Sequence, residues 1–331
     1  MEKRKLGKTD LEITPVTFGA WAIGGWMWGG ADKKDAIDAL HTSLDIGIST
    51  IDTAPVYGFG RSEEIVGEAI KGKPRDKIEI LTKYGLRWEN DKGEFFFESK
   101  DNNGNPIKIY KYASADSIVQ ECEESLQRLG TDYIDLYQIH WNDPTTPIDE
   151  SMKAVDKLLK DGKIRYAGVC NYNVDQMAQA NSNIPLASNQ VPYSMVLRDI
   201  EKNVVPWCLN NEVGILAYSP LQRGVLTGKL KPGHKFNEGD HRAGMSFYKP
   251  ENIQRINNFL ENTNPIKEKY NITNAQLVLN WTLQQPGITS VLAGARNAQQ
   301  VKDNAGAAEF MLSKEEIEQI NRELEKLTIV E

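Results

Sequence analysis

The sequence predicts an α/β fold, a (β/α)8 TIM barrel with an N-terminal β-hairpin and an extra C-terminal helix. Short apolar runs alternate with amphipathic segments from Val16 to about Asn304. Apolar runs that are each followed by a helix signal imply a parallel sheet covered on its outer face. Eight such units fit one barrel. The rival is an open doubly wound sheet, and the first run does lead into the glycine-rich Gly24-Gly25-Trp-Met-Trp-Gly29-Gly30. That stretch does not read G-x-G-x-x-G, and the next helix starts well beyond it, so the barrel is preferred. At 331 residues, 1–331 reads as a single domain.

A hairpin of Lys3–Leu6 with Leu11–Thr14 comes first, as a structural cover. The predicted strands are Val16–Gly19, Ile48–Thr53, Ile78–Lys83, Tyr133–His140, Arg165–Cys170, Ala187–Val191, Gly214–Ser219 and Thr289–Leu292. Helix signals include Lys34–Asp45, Ser62–Lys71, Ser114–Leu129, Ile148–Asp161 and Thr273–Gln284, and Ser313–Leu327 closes the chain. Two connections, Tyr84–Ala113 and Leu221–Pro250, exceed an ordinary βα loop and so carry a functional prior. Both follow strands, which puts them on the C-terminal face where barrel sites are built. In the first, Asn102-Asn-Gly-Asn-Pro106 has the turn chemistry of an exposed tip. Trp88 and Phe95–Phe97 are expected to face inward, as a substrate lid. Trp26, Trp28 and Trp141 fall on the same side.

A net charge of −7 and a pI near 5.4 argue against nucleic acid, which needs a basic face. No run is long enough to span a bilayer and no signal peptide is legible, so a cytoplasmic protein is expected. Cys122, Cys170 and Cys208 are too few and too scattered for a disulfide framework or a zinc site. His234 and His241, near Asp240 in the Gly-rich second connection, read as surface polar groups, and no metal is expected.

Asp52, Tyr57, Lys83 and His140 each stand where a predicted strand ends or has just ended. A carboxylate, a phenol, an ammonium and an imidazole gathered there can deliver a proton. An ammonium beside a phenol lowers its pKa, which would suit it to general-acid work near neutral pH. Taken singly, each has a plain alternative as a packing or turn residue.

The segment Gly47-Ile-Ser-Thr-Ile-Asp-Thr-Ala-Pro-Val-Tyr-Gly58, with Leu81-Thr-Lys83 and Asp135-Leu-Tyr-Gln-Ile-His140, resembles the aldo-keto reductase family, in its bacterial NADPH-dependent branch. The likeness continues through Gly168-Val-Cys-Asn171, Asn189-Gln190, Tyr218–Lys229 and Gly294-Ala-Arg296. It implies that Tyr57 donates a proton to a carbonyl oxygen as hydride arrives from nicotinamide. Lys83 would lower the Tyr57 pKa, Asp52 would hold Lys83 charged, and His140 would orient the carbonyl. The substrate would be an aldehyde or ketone, sugar-derived carbonyls included, and the product an alcohol.

The same resemblance implies a cofactor site. Ala20, Trp21 and Asp52 would lie near its reactive end. Cys170, Asn171 and Gln190 would meet the carboxamide, although the family usually has serine at the position of Cys170, and a thiol bonds more weakly. Tyr218 would stack on the ring, and Ser219, Leu221, Arg223 and Gly224 would wrap the pyrophosphate. Gly294, Ala295, Arg296, Gln300 and Asn304 would form the adenosine end. Asn297 reads as an N-cap there, and Arg296 suits a 2′-phosphate, which favours NADPH over NADH. Two other readings remain open: an NADPH-binding sensor with little turnover, and an aldolase using Lys83 as a Schiff-base amine.

Overall fold

The structure, a computed structural model, describes residues 1–237 and 239–330. Eight parallel strands close on themselves: β1 Val16–Gly19, β2 Thr50–Asp52, β3 Glu79–Tyr84, β4 Ile134–Ile139, β5 Ile164–Cys170, β6 Leu186–Pro192, β7 Gly214–Tyr218 and β8 Ile288–Gly294. Each pairs with its neighbours in sequence order, and β8 returns to β1 with Gly294 opposite Gly19. Around them run α1 Lys33–Asp45, α2 Arg61–Ile70, α3 Ala115–Leu129, α4 Ile148–Lys160, α5 Val174–Asn183 and α6 Val204–Asn210. The ring continues with α7 Pro250–Asn262, α8 Asn264–Tyr270, α9 Asn274–Leu283, α10 Ala298–Ala305 and α11 Lys314–Glu325.

The predicted boundaries shift by a few residues. β2 begins at Thr50 rather than Ile48, β4 ends at Ile139, leaving His140 just beyond it, and β7 stops at Tyr218. Ser219 turns to a φ of +54°, so the chain leaves the sheet there. Four helices, α5 to α8, carry no sequence signal of their own, whereas the N-cap read at Asn297 does start α10. Pro206 inside α6 and a buried stripe of only Met177 and Ala180 in α5 show why periodicity missed them. Caps fix several helix starts. Ser114 accepts from Ser117 N, Asn173 and Gln176 form a capping box, and Ser313 and Glu316 form another.

The barrel interior holds Leu81, Leu136, Ala187, Leu216 and Leu292. The N-terminal hairpin, Arg4–Lys5 with Glu12–Ile13, closes its bottom, adding Leu6, Leu11 and Ile13 to the same cluster. Gly214 makes the room, because a Cβ there would come within 2.5 Å of Leu6 Cδ1. At the other edge, α11 is tied in where Trp281 Nε1 donates to Asn321 Oδ1 at 3.1 Å.

The connection after β3 is a small antiparallel sheet of Leu86–Arg87, Pro106–Lys111 and Glu94–Lys100, in that order. Its register slips between Phe95 and Phe97. A bulge breaks the strict alternation of a strand, so the consecutive Phe96 and Phe97 both reach the cleft described below. Phe95 does not follow the inward expectation; it is 50% exposed. Among the described residues no helix is long and apolar enough to cross a membrane.

Candidate active site

A cleft of about 600 Å³ opens at the C-terminal ends of the strands. Asp52 ends β2 and lies opposite Gly19 and Leu81 in the sheet, while Lys83 sits one residue before the end of β3. Lys83 Nζ donates to Asp52 Oδ1 at 2.7 Å and to the Thr53 carbonyl at 2.8 Å. Gln190 Nε2, from β6, donates to the other oxygen, Asp52 Oδ2, at 2.8 Å. Above this pair lies Tyr57, its ring centroid 4.9 Å from Lys83 Nζ. His140 meets the tyrosine edge-on, with 5.7 Å between ring centroids. The four predicted strand-end residues are therefore brought together.

Their electrostatics depart from the sequence expectation in one respect. Burial pushes the Tyr57 phenol up to about 12, and Lys83, which pulls the other way, does not overcome it. Desolvation of a phenolate outweighs one neighbouring ammonium whose charge Asp52 already offsets. Tyr57 thus keeps its proton at neutral pH, which is the state a proton donor needs. For Lys83, burial favours the neutral amine, but Asp52 and then Tyr57 hold it above its usual range. Asp52 is moved upward by burial against the pull of Lys83. Burial, with Lys83 second, holds His140 well below its usual value, so the imidazole is neutral.

The cofactor-side residues divide. Trp21, Asp52, Asn171, Gln190, Tyr218, Ser219, Leu221, Arg223 and Gly224 line the cleft, as do Gly294, Ala295, Arg296, Gln300 and Asn304. Ala20 and Cys170 do not; they are 0% and 1% exposed, behind the lining. Ala20 instead serves the sheet, its N–H donating to the Asp52 carbonyl and its carbonyl accepting from Ser62 Oγ. Asn171 Nδ2 donates to the His140 carbonyl at 3.0 Å, and Tyr218 Oη donates to Asn171 Oδ1 at 3.0 Å. Asn171, Ser219, Gln222 and Arg223 all hold left-handed φ near this wall. Such backbone strain gathers at binding surfaces, where neighbours enforce it.

At the far end Asn297 caps α10 by accepting from Gln300 N, and Gln300 Oε1 accepts from Arg296 N at 2.8 Å. Arg296 is exposed at the helix start. Arg223, Lys229 and Arg242 join it as cations in the lining of the cleft. Trp21, Trp26, Trp28, Phe96, Phe97 and Trp141 also line it, and Arg223 lies 5.6 Å over the Trp21 ring. A cleft whose lining combines these cations, the amides of Asn171 and Gln190 and the Tyr57 phenol has a donor set that fits a nicotinamide dinucleotide.

Trp88 is held behind the lining, against Phe59 at 5.3 Å. His241 is no surface group. It stacks on Trp21 at 5.2 Å and its Nδ1 lies 2.6 Å from the Met27 carbonyl, while Trp28 bridges to Asp240. The second long connection thus reaches back to the loop after β1. Arg242 clasps Asp240 at 2.6 Å and lies 4.9 Å over Trp28. Sequence reading did not single out Arg242 or Lys229, because only their position on an unusually long connection marked them. Among the described residues no cluster of metal-ligating side chains forms.

The sequence model of the Aldo/keto reductase family matches residues 15–325. The aldo-keto reductase YhdN of Bacillus subtilis (strain 168) is 39% identical, covering 98% of this chain and 94% of its own. The NADH-specific methylglyoxal reductase of Escherichia coli (strain K12) is 37% identical, covering 95% of each chain. The solved glycerol dehydrogenase AKR11B4 of Gluconobacter oxydans superposes with a TM-score of 0.88 at 36% identity, over 98% of this chain and 95% of that one.

Proposed function

This chain belongs to the aldo/keto reductase family, and we propose that it reduces an aldehyde or ketone to the alcohol with NADPH, Tyr57 giving the proton. The observation that carries the reading is the line of buried Lys83 and Asp52 under half-buried Tyr57: Lys83 Nζ is 2.7 Å from Asp52 Oδ1 and 4.9 Å from the Tyr57 ring centroid, and Asp52 and Tyr57 line the cleft. Nicotinamide bound along the Asn171–Tyr218 wall would supply the hydride. Tyr57 then passes its proton to the carbonyl oxygen, and the phenolate left behind is stabilised by Lys83. Asp52 and Gln190 keep that ammonium charged and aimed. Neutral His140 orients the carbonyl through a hydrogen bond. A charge developing in a desolvated, preorganised setting gains more than it would in water, and this is commonly the largest catalytic contribution.

Arg296 supports NADPH, because an exposed guanidinium ahead of a capped helix suits a 2′-phosphate. The E. coli relative is named NADH-specific, and the carboxylate of Asp303 lines the same cleft as Arg296. Cofactor choice is therefore tested directly, by following nicotinamide absorbance with an aldehyde and ketone panel against each cofactor. Turnover that is faster with NADH, or none with either, would overturn the reading.

A further inference from the structure

The small sheet between β3 and α3 grips the turn that carries Tyr57. Asn102, at its tip, donates from Nδ2 to the Gly58 carbonyl at 2.7 Å. Ser99 accepts from Trp26 Nε1 at 3.0 Å. Trp26 and Trp88 both pack edge-on against Phe59, at 5.4 and 5.3 Å. The gripped turn is left-handed throughout, with Gly58, Phe59 and Gly60 at φ of +74°, +58° and +96°, and only Phe59 bears a steric cost for it. It is also seated without slack, since a Cβ on Gly24 would come within 2.5 Å of the Tyr57 carbonyl oxygen. A bulky residue such as Phe59 stays left-handed only where its surroundings over-determine it. Those surroundings are Trp26, Trp88 and the Asn102 tether.

We infer that Asn102 is a positioning residue for Tyr57, its amide fixing the Gly58 carbonyl so that the phenol stays over Lys83. The small sheet is then more than a cover. Phe96 and Phe97 line the cleft, and the same element holds the turn of the proton donor, so pocket and acid are set by one piece. A sheet that only shaped the pocket would need the two phenylalanines and no bond to Gly58. This inference rests on the reading of Tyr57 as proton donor.

The test is the single-turnover rate of NADPH oxidation with saturating benzaldehyde, in Asn102→Ala, Asn102→Asp and Asn102→Gln. Asn102 is otherwise exposed, so none of these changes disturbs the core. Loss of one hydrogen bond that orients the acid should slow the Ala and Asp variants about threefold to tenfold. KM and NADPH affinity should stay within about twofold, a margin worth less than one hydrogen bond. Gln keeps an amide donor and should recover most of the rate. An unchanged rate in Ala and Asp, a rise in KM alone, or a loss of NADPH affinity would each overturn the inference. Tyr57→Phe in the same assay separates the two claims. If it turns over like wild type, the proton-donor reading fails. If it is inactive while Asn102→Ala matches wild type, only the positioning role fails.

Discussion

The floor of the cleft and its cationic rim are built by opposite means. On the floor, the Lys83 and Asp52 side chains are 0% and 3% exposed, and Thr53 and Gln190 satisfy their further hydrogen bonds. On the rim, Arg296 is exposed, and Gln300 bonds only its backbone N–H. A buried pair acts in low dielectric and cannot drift, whereas an exposed cation is screened and costs little to change. The difference teaches where each property resides. On the proposed reading, proton transfer would belong to the buried geometry of strand ends, and cofactor choice to an exposed, replaceable surface.

The sharpest way to break the floor is Lys83→Met. It leaves Asp52 buried without its cation, so we expect activity to fall at least a hundredfold and stability to drop by about 3–5 kcal/mol. Chemical denaturation alongside steady-state rates checks both. A borohydride-trapped adduct in wild type that this variant lacks would instead indicate a Schiff-base enzyme.

Tyr57→Phe removes only the proton. Reduction should slow by about a hundredfold or more, with NADPH affinity by fluorescence titration nearly unchanged. The sign of the pH dependence follows from a phenol pushed up to about 12. Below that value Tyr57 is protonated, so carbonyl reduction should be level through neutral pH. Alcohol oxidation needs the phenolate, so its rate should climb steadily with alkaline pH. A reduction rate that collapses above pH 8 would show that another group supplies the proton.

On the rim, Arg296→Ala should weaken NADPH by more than about tenfold, a charge-assisted contact being worth roughly 1.5–3 kcal/mol. NADH, lacking the 2′-phosphate, should bind almost as before, and equal weakening of both would remove the phosphate role. Smallest of all, Phe97→Ala should raise KM for an aromatic aldehyde by about threefold to tenfold through lost apolar contact. Single-turnover rates at saturation should stay close to wild type.

Read as a sequence, the chain already declared its barrel, because eight apolar runs alternating with amphipathic segments are a local, periodic signal. It also placed Asp52, Tyr57, Lys83 and His140 at strand ends, where a parallel barrel must bring them to one face. Tertiary structure decided what depends on neighbours remote in sequence. The small sheet after β3 was unreadable as strands because Phe95-Phe96-Phe97 does not alternate, and the bulge that explains it exists only against its partner strand. Ala20 and Cys170 were cofactor contacts by the family resemblance, yet the fold buries both side chains behind the cleft lining. His241 looked like surface polarity until Trp21 and Met27 came to meet it. The Tyr57 pKa could not be read from the presence of Lys83, since burial sets the larger contribution and burial is a property of the assembled fold. Periodicity and residue type are written in the chain; desolvation, register and long-range contact arise only when it closes on itself.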